Sequence, residues 1–469
     1  MRRTLFKELR RLSHLRSAMM SDIRLLAAWM LFTAAVYAFA WPTHALIADE
    51  VAYLDDALRL LGRPSACGPS GWSSYPPGVA LVAAMFIGLA GRPEAAFGVG
   101  LFFWLIGFGA LALLLRRWQR PVVWAFYPAL FVPGLPLTRT IMSDVPSFGL
   151  AAAFLCAYAG YGDRRWGAFG AGLCAGAALL VRETNFLWAA PFLVGAAWRP
   201  AQRAGWLWTG FAIGAAVRLL WAQMHFGHWA YVRDPGIAFS LFYLPKNIAF
   251  YAFALTVLCP GGLFLMIKNK KMPFWPETAI AVAAVLLLYS AYGYDAFAKS
   301  GSLKGLVLQG RFMLPLVPFL AFAGAFSKAT SLSPPLRKAL LGLAASLFAA
   351  VQILGWAYNR QQQTLTHALI NLPAEAHWSL SYDESRKYLN PLHTSTCLHP
   401  LLEENPPAEA FYVHLITRND SADWRKKNAM AANALQRLAR QRNLTLILDH
   451  TLSEGTRLRV WRAEAKRGR

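Results

Sequence analysis

Acidic side chains are scarce in this chain. Asp and Glu number 24 against 47 Lys and Arg, and charged residues make up only 15% of the sequence. Soluble domains usually carry roughly 25%, so this composition argues against an ordinary water-soluble protein. Cysteine is also rare. There are five, none in a Cys-x-x-Cys pair, which gives no footing for a structural zinc site or a disulfide-framework domain. No tandem repeat is visible.

What the chain has instead is long apolar runs, such as Leu25 to Trp41, Val99 to Leu115 and Ala339 to Ala357. Runs of about 17–25 residues match a hydrocarbon core about 30 Å thick. The fold class expected is therefore an all-α polytopic membrane protein. The net charge of +23 would suit a nucleic-acid binder, but its distribution does not. The basic clusters recur between hydrophobic runs: Arg2 to Arg24, Arg116 to Arg120, Arg164-Arg165, Arg199 to Arg203, Lys268 to Lys271 and Lys328 to Lys338. Loops of this kind stay cytoplasmic. The basic excess is thus a topological signal, and nucleic acid is not an expected partner.

Taking those loops as inside gives eleven spans. They fall near 25–41, 96–115, 121–135, 145–161, 166–181, 186–198, 205–222, 249–267, 277–293, 311–326 and 337–357. Residues 1–24 read as a basic amphipathic cytoplasmic helix on the inner leaflet. Residues 42–95 read as one large outer loop, and 25–357 as the membrane domain. Within that loop Ile47, Val51, Leu54, Leu58 and Leu61 recur at helical spacing, and Gly62 and Pro64 close the segment. Gly78 to Ala90 is apolar but short for a crossing, and suits a re-entrant or juxtamembrane helix. Beyond the last span the composition turns polar. Residues 358–469 read as a small α/β soluble domain on the outer side, with strands at 411–417, 444–449 and 457–463 and a helix at 421–440. Cys67 and Cys397 would share that side, where a disulfide is open to them.

Several residues at the outer ends of spans could carry chemistry. Asp49 and Glu50 open the surface helix. Asp49 is either a helix cap or a general base for a hydroxyl or amine nucleophile. Tyr75-Pro76-Pro77 leads into the short apolar helix, where the prolines suit a helix start and Tyr75 is left unexplained. Ser143-Asp144-Val145-Pro146 opens the fourth span. That pattern fits an N-cap, or a second acidic group facing an acceptor, a sugar hydroxyl or a metal. Arg139, Arg182 and Arg311 fall at the same expected face. Each can snorkel to headgroups, or join a phosphate cradle, since guanidinium binds phosphate oxygens in pairs.

Together these pieces resemble the GT-C superfamily of polyprenyl-phosphate-sugar-dependent glycosyltransferases. They are most similar to bacterial relatives of protein O-mannosyltransferases and aminoarabinose transferases. The matching residues are Asp49-Glu50 with Tyr53, Tyr75-Pro76-Pro77, Ser143-Asp144-Val145-Pro146, Arg182, and Arg311-Phe312-Met313-Leu314-Pro315-Leu316-Val317-Pro318. The resemblance implies an inverting transfer from a polyprenyl-phosphate-linked sugar on the outer face of the bacterial inner membrane, in the cell envelope. It implies Asp49 as base, with Glu50 and Asp144 as further acidic groups. Arg139, Arg182 and Arg311 would lie on the donor phosphate, and Tyr53 and Tyr75 on substrate. The implied acceptor is a glycolipid, a polysaccharide or a protein. Asp144 lacks the Asp-x-Asp pattern of metal-using members, which leaves a divalent metal open. The alternative function is a secondary transporter or a flippase for lipid-linked glycans.

Overall fold

The computed structural model describes residues 23–42, 48–63, 71–198, 201–229, 239–292, 309–327, 333–370, 377–379, 398–400, 410–416, 422–451 and 457–465, besides Met20 and Leu306. The expected amphipathic helix over 1–24 lies almost wholly outside the described residues, and Cys67 and Cys397 lie outside them entirely. The chain divides into two compact units. One comprises Met1–Trp41, Ser74–Val82 and Phe97–Gly355; the other comprises Pro42–Ser73, Ala83–Ala96 and Trp356–Arg469.

The first unit is helical. Its helices are α1 (Ile23–Phe39) and, after two helices described below, α4 (Gly98–Arg117), the single turn α5 (Gly134–Leu137) and α6 (Asp144–Leu155). Then come α7 (Arg165–Val181), α8 (Phe186–Ala196), α9 (Ala201–Phe226), α10 (Leu244–Leu258), α11 (Gly262–Lys268), α12 (Trp275–Ser290) and α13 (Val317–Ala325). Helix α2 (Ala48–Leu60) belongs to the second unit, whereas α3 (Gly78–Ala90) and α14 (Pro334–Ile370) run from one unit into the other. Among the described residues, three helices are long and apolar enough to cross a membrane: Pro93–Arg117, Leu241–Leu258 and Pro334–Arg360. Shorter apolar helices make up most of the rest.

Three expected spans come out differently. Residues 121–135 form a 3-10 stretch, Val122–Leu130, followed by the turn α5. Proline explains the change: Pro121, Pro128, Pro133 and Pro136 remove amide donors that a continuous α-helix needs. The span expected over 249–267 breaks between α10 and α11 at Gly261, whose φ of +74° favours a residue without Cβ. The last helix continues to Ile370, well past the expected end, because residues 358–370 keep good helix formers in place of a stop signal.

Helix α6 occupies the middle of the unit, packed against α4, α7, α13 and the 3-10 turn Arg311–Leu316. Its Phe148 lies 5.2 Å from the Trp104 ring, and its Phe154 lies 5.3 Å from Trp188. Between apolar helices in lipid, close packing replaces the drive to leave water. Helices α7 and α9 show this most directly. Gly172 and Gly176 on α7 face Gly210 and Gly214 on α9, and a Cβ on Gly172 would fall 2.0 Å from the Leu207 carbonyl oxygen. The two helices run parallel with their backbones touching, as small residues four apart allow.

In the second unit, α2 carries the acidic residues described below. The tail holds a five-stranded sheet in the order β2-β1-β3-β5-β4. Its strands are β1 (His377–Ser379), β2 (Leu398–Pro400), β3 (Ala410–Ile416), β4 (Arg442–Thr451) and β5 (Arg457–Ala465). The first three run parallel, and β3-β5-β4 are antiparallel. Helix α15 (Ala422–Gln441) places Leu438 over a small core of Ala410, Tyr412 and Ala463, with Leu444 and Trp461 beside it. The sequence reading located β3, α15, β4 and β5 to within two residues, but missed β1 and β2, which are three residues each. Such short strands carry no readable alternation.

Two outcomes follow from this packing. Gly172→Ala is expected to force α7 from α9 and lower the melting temperature of the purified protein, at about 1–3 kcal/mol for overpacking. Gly170→Ala has open space at the same position and should be neutral. The second outcome concerns His414, which is buried on β3. Burial, and then the Arg459 guanidinium opposite, hold its pKa below the ordinary 6.5. The unfolded chain therefore binds a proton near pH 6.5 that the folded sheet refuses, and stability falls as pH drops below that value. Asp449, whose carboxylate is held down first by its hydrogen bonds with Arg457, keeps its contribution down to about pH 3.8 and loses it as pH falls further. Amide exchange in β3 and β5 should thus accelerate between pH 7.5 and 5 after correction for intrinsic rates, and His414→Leu should flatten that dependence.

Candidate active site

The site is built where four segments of the first unit meet. Asp144 is the first residue of α6, so the helix N-terminus favours its negative charge. Ser143 makes no side-chain cap, and the Asp144 side chain is fully buried. Its two oxygens meet two guanidiniums, Arg182 Nη1 at 3.0 Å and Arg311 Nε at 3.7 Å. Neither contact has hydrogen-bond geometry, so the attachment is electrostatic.

Arg182 ends α7 in extended conformation (φ −162°, ψ 128°), which turns it out of the helix. The turn after it is fixed on both sides. Glu183 pairs with Arg218 of α9 at 2.8 Å. Asn185 donates to the Ser147 hydroxyl and to the Ala178 carbonyl, and accepts from the Trp188 indole. These bonds tie the start of α6 to the end of α7, so Asp144 and Arg182 cannot drift apart independently. Arg311 opens the 3-10 turn that leads into α13. Phe312 follows it, with both guanidiniums near its ring, at 5.4 Å for Arg182 and 5.2 Å for Arg311. Tyr289 of α12 stacks on the same ring at 4.7 Å and 6°. Its hydroxyl lies 3.0 Å from Thr184 Oγ1 and accepts from Arg182 Nη1 at 3.5 Å.

Two guanidiniums face one enclosed carboxylate in an apolar setting. Each arginine side chain is 16% exposed whereas Asp144 is wholly enclosed. The carboxylate is thus the inner anchor, and the arginine side chains are the part a ligand can reach. A planar donor pair of this kind suits a phosphate or carboxylate oxyanion.

The remaining sequence-predicted residues lie elsewhere. Arg139 is buried, donating to the Ala40 carbonyl at 3.1 Å. Its guanidinium lies where a Cβ on Gly355 would fall, 1.7 Å from Nη1. It ties segments together instead of joining Arg182 and Arg311 on Asp144. Tyr75 is half-buried just before α3. Asp49, Glu50 and Tyr53 share α2 in the second unit: Asp49 is half-buried in the first turn, while Glu50 and Tyr53 are buried. On the same helix Asp56 accepts from the Ser73 amide at 3.0 Å and from its hydroxyl. Among the described residues, no three His, Cys, Asp or Glu side chains converge as a metal site would require.

Sequence reasoning did not single out Tyr289, Thr184, Asn185 or Arg218. Tyr289 sits on an apolar helix with no local signature, and the others act through partners distant in the chain. Phe312 stood inside the quoted arginine motif, unassigned.

A fold of this kind has a solved counterpart. No family model and no curated protein matches the chain. Among solved structures it is similar to the crystal structure of ArnT from Cupriavidus metallidurans bound to undecaprenyl phosphate. The match has a TM-score of 0.55 at 12% identity and covers 93% of this chain and 97% of that one. The likeness shows that the two chains share a fold.

The Asp144 anchor has a measurable consequence. Asp144→Asn should lower stability by about 3–5 kcal/mol, because it removes the enclosed carboxylate that both guanidiniums face. Asp144→Asn combined with Arg311→Gln should recover part of that loss, with a coupling of about 0.5–3 kcal/mol in a thermal-melt double-mutant cycle.

Proposed function

We propose that the chain is a polyprenyl-phosphate-dependent glycosyltransferase of a bacterial inner membrane. It would move a sugar from its lipid carrier to an acceptor on the outer face, with inversion. The observation that carries this reading is the Arg182–Asp144–Arg311 group, in a fold shared with a protein whose structure holds undecaprenyl phosphate. That fold likeness lends no support to a transporter or flippase.

In this mechanism the donor's phosphate lies on the exposed edges of Arg182 and Arg311. Asp49 takes the proton from an acceptor hydroxyl or amine, whose heteroatom attacks the anomeric carbon from the face opposite the carrier. The bond from that carbon to the phosphate oxygen breaks, and its electron pair stays on the polyprenyl phosphate. The leaving group gains negative charge as it departs, and two pre-placed cations stabilise that charge more than the ground state. Asp144 keeps the guanidiniums from repelling each other and holds them in place. Glu50 supports Asp49 from the same helix turn, Tyr53 and Tyr75 contact substrate, and Arg139 acts as a structural tie. The C-terminal sheet is assigned to the periplasmic side and the N-terminus to the cytoplasm. The acceptor is a glycolipid, a polysaccharide or a protein.

Asp49→Asn should retain undecaprenyl phosphate binding and lower transfer by about 10²–10⁴, the usual worth of a positioned base. Arg182→Ala and Arg311→Ala should each weaken undecaprenyl phosphate binding at least tenfold. Transfer can be followed by mass spectrometry of envelope glycolipids and glycoproteins, and binding with the purified protein. Normal transfer by Asp49→Asn removes the base assignment, and unchanged binding in both arginine variants removes the phosphate cradle.

A further inference from the structure

The far end of α7 carries a second cationic feature, one helix length from Arg182. Helix α7 has 17 residues, so its first residue lies about 25 Å from its last. Because α7 and α9 run parallel with touching backbones, their first turns stand side by side. Arg164 and Arg165 enter one and Arg203 lies in the other, all exposed.

Three cations elsewhere on the basic loops have partners in the protein. Arg117 pairs with Asp163 at 3.8 Å, the Arg120 guanidinium lies 4.2 Å from the Phe326 ring centroid, and Lys268 lies 4.3 Å from that of Phe264. Among the described residues, Arg164, Arg165 and Arg203 meet no carboxylate, and Arg165 faces only the Trp166 ring at 5.5 Å. Between these arginines sits an aromatic cluster. The Trp166 and Trp206 rings lie 6.1 Å apart, and Phe169 contacts both. Trp166 is 65% exposed and Trp206 38%. Below Trp206, the exposed residues Ile213, Val217 and Leu220 continue down α9 at helical spacing.

We propose that this corner is a binding site for an anionic phospholipid. The three uncompensated guanidiniums would take the headgroup phosphate, in the paired-donor geometry that arginine offers. The indoles would sit at the glycerol and ester level, where amphipathic rings prefer to lie. The acyl chains would follow the apolar stripe of α9. Charge complementarity selects an anionic lipid over a zwitterionic one, and the continuous apolar track selects a lipid over free phosphate.

The test uses the full-length protein in detergent, titrated with dioleoyl phosphatidylglycerol or dioleoyl phosphatidylcholine and read by native mass spectrometry. Phosphatidylglycerol should bind at least tenfold more tightly than phosphatidylcholine, and excess inorganic phosphate should not displace it. Arg164→Gln/Arg165→Gln/Arg203→Gln should abolish that preference. Arg116→Gln/Lys271→Gln/Lys338→Gln removes the same charge from other basic loops and should leave the preference intact. Trp166→Ala, which keeps every charge, should weaken phosphatidylglycerol binding several-fold. Equal loss in the two triple variants, or displacement by phosphate, would overturn the site in favour of diffuse charge attraction. Undecaprenyl phosphate binding at Arg182 and Arg311 should persist in the first triple variant, so the two sites are tested apart.

Discussion

A carboxylate with no access to water must be compensated, and in this protein the compensation sets the geometry of the site. Asp144 is fully enclosed between Arg182 and Arg311. Burying an isolated charge costs far more than a domain can spare, so the three side chains must be placed together. Placing them fixes the start of α6, the end of α7 and the turn before α13. The surrounding neutral bonds, from Asn185 to Ser147 and from Thr184 to Tyr289, hold the same junction without adding charge.

Small residues and aromatic residues divide the remaining work. Glycine lets α7 and α9 touch, which brings Arg218 of α9 to Glu183 beside the site. Aromatic rings fill the space around α6, with Phe192 stacked on Phe319 and Trp188 tilted against it. Phe312 does both jobs, since its faces meet Tyr289 and the two guanidiniums. The tail obeys different rules, as a water-facing sheet should. There Asp449 is shared between Arg457 and Arg459 across neighbouring strands, and the core is a handful of residues under α15.

The helical class was legible because runs of apolar residues report membrane-length helices directly, and the amphipathic α2 was legible from its spacing. The tail's longer strands were legible from alternation. Where proline and glycine interrupted an apolar run, as at 121–136 and at Gly261, hydropathy alone promised a span that the backbone could not make. The pairing of Asp144, Arg182 and Arg311 was foreshadowed only by their shared position at helix ends. What sequence could not convey was depth. Arg139 has the same residue type and expected face as the other two, yet it is buried against the Ala40 carbonyl and Gly355. Tyr289 shows the converse, an apolar-helix residue with a polar task set by a partner 105 positions away.

The most direct measurement is an experimental structure of the protein with undecaprenyl phosphate bound. Phosphate oxygens about 3 Å from the guanidinium nitrogens of Arg182 and Arg311, with Asp144 still enclosed behind them, are the expected result. A phosphate seated elsewhere, with both arginines turned only to Asp144, would contradict the assignment of this ion cluster as the carrier's binding site.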